Sequence, residues 1–390
     1  MTSKLHFALL LLLSNYKKHR AVFGMSTLLI ALVASVMFMT TSLKHQALEI
    51  LKEQADITLQ RFEAGRVLPT PKEWLDTVWE IDGVSHAEGR IYGEHFYEPK
   101  ENYFMIIGVD PYAPQVAKNL HNLIEDLNIS EFLEGQKMII GSGVKEFFDE
   151  YAYKRYYTFR PPDRSKERVY IYKVLPKESA LVSADAIVMK KSLARKILGI
   201  EEGYYSDIVL NIANKDERET VYEKLVLEHF NSRIITKEDI AKHFEHLFNY
   251  KGGFFLVLYL VTLTTFFLIL YQRYSMIRSE DVKEIAILRL VGWRISHLVW
   301  LKLFENFVIA LFAYVWGVIL ALVFVYILGA PLLRAIFFGY ANLSNNAPFY
   351  LTLKSGDLVL LFFIFVVPFL LAILFPLWRV ATQEASEVLR

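Results

Sequence analysis

Chemistry in a protein needs nucleophiles, metal ligands or a phosphate cradle, and this 390-residue sequence is sparing with all three. It has no cysteine, which excludes disulfides, thiolate metal sites and cysteine nucleophiles. His45, His86, His95, His121, His229, His243 and His246 are scattered. Only His243 and His246 share a helix face, with Asp239 one turn earlier. A metal centre needs a third ligand in reach and an ordered outer shell, so this trio reads as a solvated face. No G-x-x-x-x-G-K-[ST] occurs, hence no P-loop. The expectation is a chain with no catalytic site, no metal and no cofactor of its own.

Three other groups of residues have a definite physical character. Lys283-Glu284-Ile285-Ala286-Ile287-Leu288-Arg289-Leu290-Val291-Gly292-Trp293 is amphipathic: Ile285, Leu288 and Ile295 make an apolar face, while Lys283, Glu284, Arg289 and Arg294 stay polar. Gly292 is free to take the left-handed conformation that ends a helix. Thr27, Ala31 and Ser35 form a small-residue ridge that lets a second helix approach closely. That ridge suits a dimer contact or packing within one subunit. The third group is aromatic: Phe147, Phe148, Tyr151, Tyr153, Tyr156, Tyr157 and Phe159. It reads either as a partner-binding surface, with Tyr151, Tyr153, Tyr156 and Tyr157 as contacts around Lys154 and Arg155, or as core and strand aromatics.

The elements that carry these groups follow from hydropathy. The chain is 54% hydrophobic yet 22% charged, with net charge +1, a balance that fits apolar spans joined to a soluble domain. A bilayer core needs about 20 apolar residues as helix, and four stretches qualify: 21–42, 252–272, 304–328 and 357–378. Pro368 and Pro376 in the last are tolerated where neighbouring helices satisfy freed carbonyls.

Lys17, Lys18 and Arg20 precede the first span. Arg273, Arg278, Lys283, Arg289, Arg294 and Lys302 crowd the 273–303 link, and Arg379 and Arg390 follow the last span. By the excess of Lys and Arg on the cytoplasmic side, both termini and that link are cytoplasmic, and 43–250 and the 329–356 loop are outside. The first span is too long for a signal h-region and lacks a small-x-small cleavage site, so it reads as a retained anchor. Residues 1–20 read as an amphipathic interfacial helix or as an extension of the span.

The predicted fold class is a membrane protein of four transmembrane α-helices with a large mixed α/β extracytoplasmic domain between the first two. In that domain, Leu48, Leu51, Ala55, Leu59 and Phe62 recur at helical spacing, predicting a stalk that continues the first span, with Ile235–Tyr250 as its returning half. Helices are predicted at Pro71–Ile81, Ala113–Ile124, Gly143–Asp149, Ser192–Leu198 and Asp216–His229. Strands are predicted at Val84–Tyr92, Tyr103–Val109, Val169–Val174, Ala186–Met189 and Ser206–Ile212.

The Lys283–Trp293 segment, followed by Ile295, Leu298 and Glu305-Asn306, resembles the coupling segment of the MacB/FtsX family of mechanotransmission ABC-transporter permeases. The tail Pro376-Leu377-Trp378-Arg379-Val380-Ala381 through Glu387-Val388-Leu389-Arg390 resembles that family's ending. Ile81-Asp82-Gly83-Val84, Ile107-Gly108-Val109-Asp110-Pro111 and Ser206-Asp207-Ile208 look like phrases of its external domain. Ala286 departs from the family's usual Gly, and the third span has only Gly317 before Gly329.

The resemblance implies a bacterial inner-membrane permease subunit that is not itself an enzyme. A separate cytoplasmic ABC ATPase binds ATP and Mg and grips Lys283, Glu284, Ile285, Leu288, Arg289, Gly292 and Arg294. A second permease copy or sister permease completes the complex, and a periplasmic adaptor, lipoprotein or hydrolase is the class of external partner. The substrate class is a lipoprotein, lipid, peptide or drug-like molecule, exported or extracted. Two alternatives stand beside it: a non-transporting FtsX-like regulator of a cell-wall hydrolase, and a membrane receptor without an ATPase. The spans hold almost no ionisable groups, which argues against a polar channel or an ion-coupled carrier. Nothing in the charge balance points to nucleic acid.

Overall fold

The first span belongs to a helix much longer than a bilayer requires: α1 runs Tyr16–Lys52, 37 residues. The computed structural model describes Leu10 and residues 16–52, 54–97, 101–110, 128–176, 183–275, 287–338 and 348–382. Of residues 1–20, the basic cluster Lys17–Arg20 is continuous with α1. The apolar run ahead of Tyr16 lies outside the described residues apart from Leu10, as does the helix expected at Ala113–Ile124.

The predicted stalk over Leu48–Phe62 is corrected: the helix stops at Lys52 and a strand, β1 (Ile57–Glu63), begins. Ile57 and Leu59 are fully buried while Thr58 and Gln60 alternate outward. The strand period holds because β1 lies between two other strands of one sheet. After β1 come β2 (Arg66–Leu68), β3 (Thr70–Pro71), α2 (Glu73–Trp79), β4 (Val84–Tyr97), β5 (Asn102–Val109), α3 (Ile129–Leu133), β6 (Lys137–Ile140) and α4 (Ser142–Glu150). β7 (Tyr156–Phe159), β8 (Glu167–Val174), β9 (Ala186–Lys190), α5 (Lys191–Leu198), β10 (Tyr204–Tyr205), β11 (Asp207–Ile212), α6 (Arg218–Glu228) and β12 (Ser232–Thr236) complete the α/β part.

The large sheet has the order β12-β1-β11-β4-β5-β9-β6-β8-β7, with β2 added to β1. It is mixed: β5–β9 and β6–β8 pair parallel, the rest antiparallel. Two apolar clusters line its helical side. Ile57, Leu59, Ile208 and Leu210 pack with Val78 of α2 and Val221 and Leu225 of α6. Phe104, Ile106, Met138, Ile187 and Met189 pack with Phe147 and Phe148 of α4 and Ala194 of α5. Phe132 of α3, Ile139, Leu175 and Val188 form a smaller cluster.

The chain returns through α7 (Lys237–Ser275), 39 residues without interruption. The expected returning stalk is therefore helical, except that Ile235 belongs to β12. Lys237 clamps the place where helix and strand meet, its amide donating to Asp56 O at 2.9 Å and its Nζ to the Lys52 and Gln54 carbonyls.

After the helical residues 287–290 come α8 (Ile295–Leu322, continued by a π turn to Ile327), α9 (Pro331–Phe338) and α10 (Ser355–Thr382). Among the described residues, three helices are long and apolar enough to cross a membrane: His19–Lys52, Ile295–Ile327 and Ser355–Trp378. Leu256–Gln272 inside α7 is a shorter apolar stretch.

The chain divides into two compact units: residues 1–46, 245–334 and 349–390 form one, which holds α8 and α10, and residues 47–244 and 335–348 form the other. Within the membrane-type unit, Gly317 lets α8 approach α1. A Cβ there would sit 2.7 Å from Ile30 Cβ and 3.0 Å from the Thr27 carbonyl oxygen, the close approach that small residues permit between membrane helices. At the other end of α1, Thr41 donates to Asp357 (3.1 Å) and Ser42 to the Tyr350 carbonyl (2.8 Å). Tyr314 of α8 donates to the Leu358 carbonyl at 2.9 Å, and Phe266 of α7 stacks on Phe365 of α10 with centroids 6.3 Å apart.

Candidate coupling site

Residues 287–290 are helical, and the helix ends there. Gly292 has φ +92°. The Trp293 amide donates to Leu288 O (3.1 Å) and the Gly292 amide to Arg289 O (3.0 Å). That pair of bonds, with a left-handed glycine at the end, is the Schellman end of a helix, and Leu288 and Trp293 both pack on Leu298. Arg294 is extended (φ −74°, ψ 150°), and α8 starts at Ile295. The turn is thus joined to the third apolar helix by Trp293 and Arg294 alone.

Leu288 and Ile295 face inward, in keeping with the apolar face read from the sequence, but the opposite face is apolar as well. Leu288 packs inward on Leu298, and Ile295 packs with Val299 and Leu377. The outward face carries Ile287, Leu290 and Val291, exposed by 59%, 70% and 73%. Residues at positions three and four apart share a helix face, so these three make one apolar patch. Lys283, Glu284 and Ile285 lie outside the described residues.

Three turns into α8, Glu305 is 1% exposed. His19 Nε2 donates to its Oε1 at 2.8 Å and Lys302 Nζ to its Oε2 at 3.1 Å. The buried Asn306 side chain donates to the Lys302 carbonyl (2.8 Å). His19 Nδ1 is buried with no partner. A carboxylate at this depth has a donor on each oxygen, one of them the Lys302 ammonium, the arrangement that makes a buried charge tolerable. The cluster ties the start of α1 to α8.

Residues 255–385, a third of the chain, match the model of the FtsX-like permease C-terminal family. This stretch is similar to the C-terminal region of those permeases. It contains the turn, Gly292, Glu305 and the last three apolar helical stretches. Among curated proteins none matches the chain in sequence. Solved structures similar to it include the extracellular domain of the ABC-type transporter YknZ from Gram-positive bacteria (14% identity, 46% of this chain and 99% of that one, TM-score 0.29). The periplasmic region of MacB from Actinobacillus actinomycetemcomitans is another (11% identity, 51% and 97%, TM-score 0.32).

The remaining candidate residues lie outside the FtsX-like region. Thr27 and Ser35 are 7% and 3% exposed within the chain itself, and Ala31 is half-buried. Gly317 of the FtsX-like region covers part of the ridge. α1 instead exposes Met25, Leu28 and Leu32.

The aromatic stretch divides. Tyr157 is 7% exposed and stacks on Phe148 (5.2 Å), and Tyr153 and Tyr151 pack against the same cluster. Burial pushes the Tyr157 phenol up, with Tyr153 and Tyr97 adding to it. Only Tyr156 stands clearly in solvent, at 40%. The expectation of four contact tyrosines is therefore corrected for Tyr157, a core residue.

One buried polar centre escaped the sequence reading. Asp207, fully buried, receives two bonds from Arg90 (2.8 and 2.6 Å) and one from the Tyr92 hydroxyl (2.8 Å), while Gln60 donates to Tyr92 (3.2 Å). Burial, followed by the Asp207 charge, pushes Tyr92 up to about 12. Burial alone would lower Arg90, but Asp207 outweighs it and the guanidinium is raised. Arg90 and Tyr92 of β4 both donate to Asp207 of β11, so the centre braces β11 against β4. His243 and His246 are exposed, and among the described residues no group of His, Asp or Glu is placed to hold a metal.

Proposed function

We propose that the chain is the permease subunit of a mechanotransmission ABC complex, with four membrane spans, cytoplasmic termini and residues 43–250 outside. A separate ABC ATPase, which holds the ATP and Mg, grips the 283–294 segment. The observation that carries this reading is the turn itself: an exposed apolar patch of Ile287, Leu290 and Val291, closed by a Schellman end and joined to α8 through Arg294. A helix end fixed by hydrogen bonds cannot absorb a push, so force on the patch moves α8. Glu305 and His19 pass that motion to α1, and α1 is one unbroken helix as far as Lys52, five residues before β1. α7 likewise runs unbroken from β12. Motion would thus reach the external domain along two rods and act on a lipoprotein, lipid, peptide or drug-like substrate already outside or in the outer leaflet. A second copy or sister permease would supply the other half of the complex, with the exposed α1 stripe of Met25, Leu28 and Leu32 and the apolar α7 surface available to it.

Topology mapping tests the frame. Tags at both termini and at Ser279 should report cytoplasm, and tags near Gly135 and Asn345 the outside. An outside signal at Ser279 would place the turn where no ATPase can reach it and end the reading.

A further inference from the structure

The large sheet ends at β7, which has β8 on one side and, among the described residues, no strand on the other. Its inward side chains, Tyr157 and Phe159, are buried in the core and fix the edge in place. Its outward side chain Tyr156 lies opposite Tyr170 of β8, rings 5.8 Å apart, and the Arg168 guanidinium lies 4.7 Å above the Tyr156 ring.

Around this edge the charge is lopsided. Lys154, Arg155, Arg160, Arg164, Lys166 and Arg168 stand against only Asp163 and Glu167, in a chain whose net charge is +1. All six cations are exposed, and none forms an ion pair with a carboxylate among the described residues. Neither acid offsets them directly. Glu167 is buried and held by Lys196 and Gln136 (2.5 Å) on the other side of the sheet, and Asp163 accepts from the Ser165 amide at 2.8 Å.

An open strand edge offers backbone donors and acceptors that only another polypeptide strand can complete. Six like charges repel a second copy of the same edge and attract an acidic segment. We propose that the β7 edge is a docking site for an acidic, extended segment of an extracytoplasmic protein, which adds as a strand beside β7 with Tyr156, Tyr170 and the flanking cations reading its side chains. The extracytoplasmic location rests on the orientation proposed above; the surface itself does not.

The test uses the full chain in zwitterionic nanodiscs and a fluorescent peptide of about ten residues alternating Glu and Val. It should bind, slow amide exchange across Tyr156–Phe159, and lose affinity by about tenfold or more when Arg155→Glu and Arg168→Glu are combined. Methylating alternate peptide nitrogens should cost about as much, because ladder hydrogen bonds are lost. Equal binding of a Lys–Val peptide, unchanged binding by the charge-reversed chain, or equal binding of the methylated peptide would each overturn the proposal. So would displacement of the peptide by anionic phospholipid vesicles, which would make the edge a lipid-facing surface. ATPase binding is read on the same preparations. Lost peptide binding with intact ATPase binding sinks this proposal alone, and the converse sinks the permease reading alone.

Discussion

Replacing Gly292 by valine should leave the ATPase bound but cut its stimulated hydrolysis by about tenfold, while asparagine at the same position stays near wild type. The reasoning is local. Gly292 has φ +92°, and a Cβ built there meets nothing within 4 Å. No clash therefore contributes, and the whole penalty is backbone strain. A β-branched residue forced into the left-handed region costs about 1–3 kcal/mol, enough to unwind the Leu288–Trp293 closure or move the turn off α8. Asparagine visits that region readily. The split between the two variants separates conformation from bulk, and hydrolysis measured per bound ATPase in nanodiscs reads it.

Glu305→Ala should be the most destabilising single change in the membrane-type unit, by about 3–5 kcal/mol, the usual cost of stranding one side of a buried ion pair. The carboxylate is 2% exposed and His19 15%, so His19 cannot recover its partner from water. Lys302 recovers part of its loss because its stem can swing toward solvent. Joint replacement of His19 and Glu305 by leucine should cost much less than the sum of the single changes, since apolar isosteres often replace a buried pair at little cost. Thermal unfolding of the wild type, His19→Leu, Glu305→Leu and the double leucine variant closes a double-mutant cycle. Additive effects would show that His19 and Glu305 do not act as a pair and would break the proposed link from α8 to α1.

Much of this architecture is legible in local sequence. Helices at Gly143–Asp149 and Ser192–Leu198, strands at Tyr103–Val109 and Ala186–Met189, and the helix-ending glycine at 292 appear where periodicity and backbone chemistry place them. Residues 57–62 misled because Leu59 and Phe62 happen to continue a helical spacing from Leu48. What decides the strand is pairing with Ile234 and Ile208, far away in the chain. β7 was hidden in the same way, within an aromatic run that fits a core or a surface equally well. At the turn, the spacing placed Leu288 on the apolar face, but it gave no sign that Ile287, Leu290 and Val291 would stand together in the open. The His19–Glu305 bond joins residues 286 positions apart, a contact that no local pattern signals.

The central claim is that a partner ATPase grips the turn through its exposed patch and its charges. The most direct measurement is co-purification of the ABC ATPase, with its hydrolysis rate, from nanodiscs holding Leu290→Glu and Val291→Glu in one variant and reversed charges at Glu284 and Arg289 in another. Both positions in the first variant are open to solvent, so the chain should insert and fold as before. The account predicts that each variant loses at least about tenfold in ATPase binding, through loss of apolar contact in the first and like-charge opposition in the second. Full binding and full stimulated hydrolysis in both would contradict it and reduce the segment to a membrane anchor.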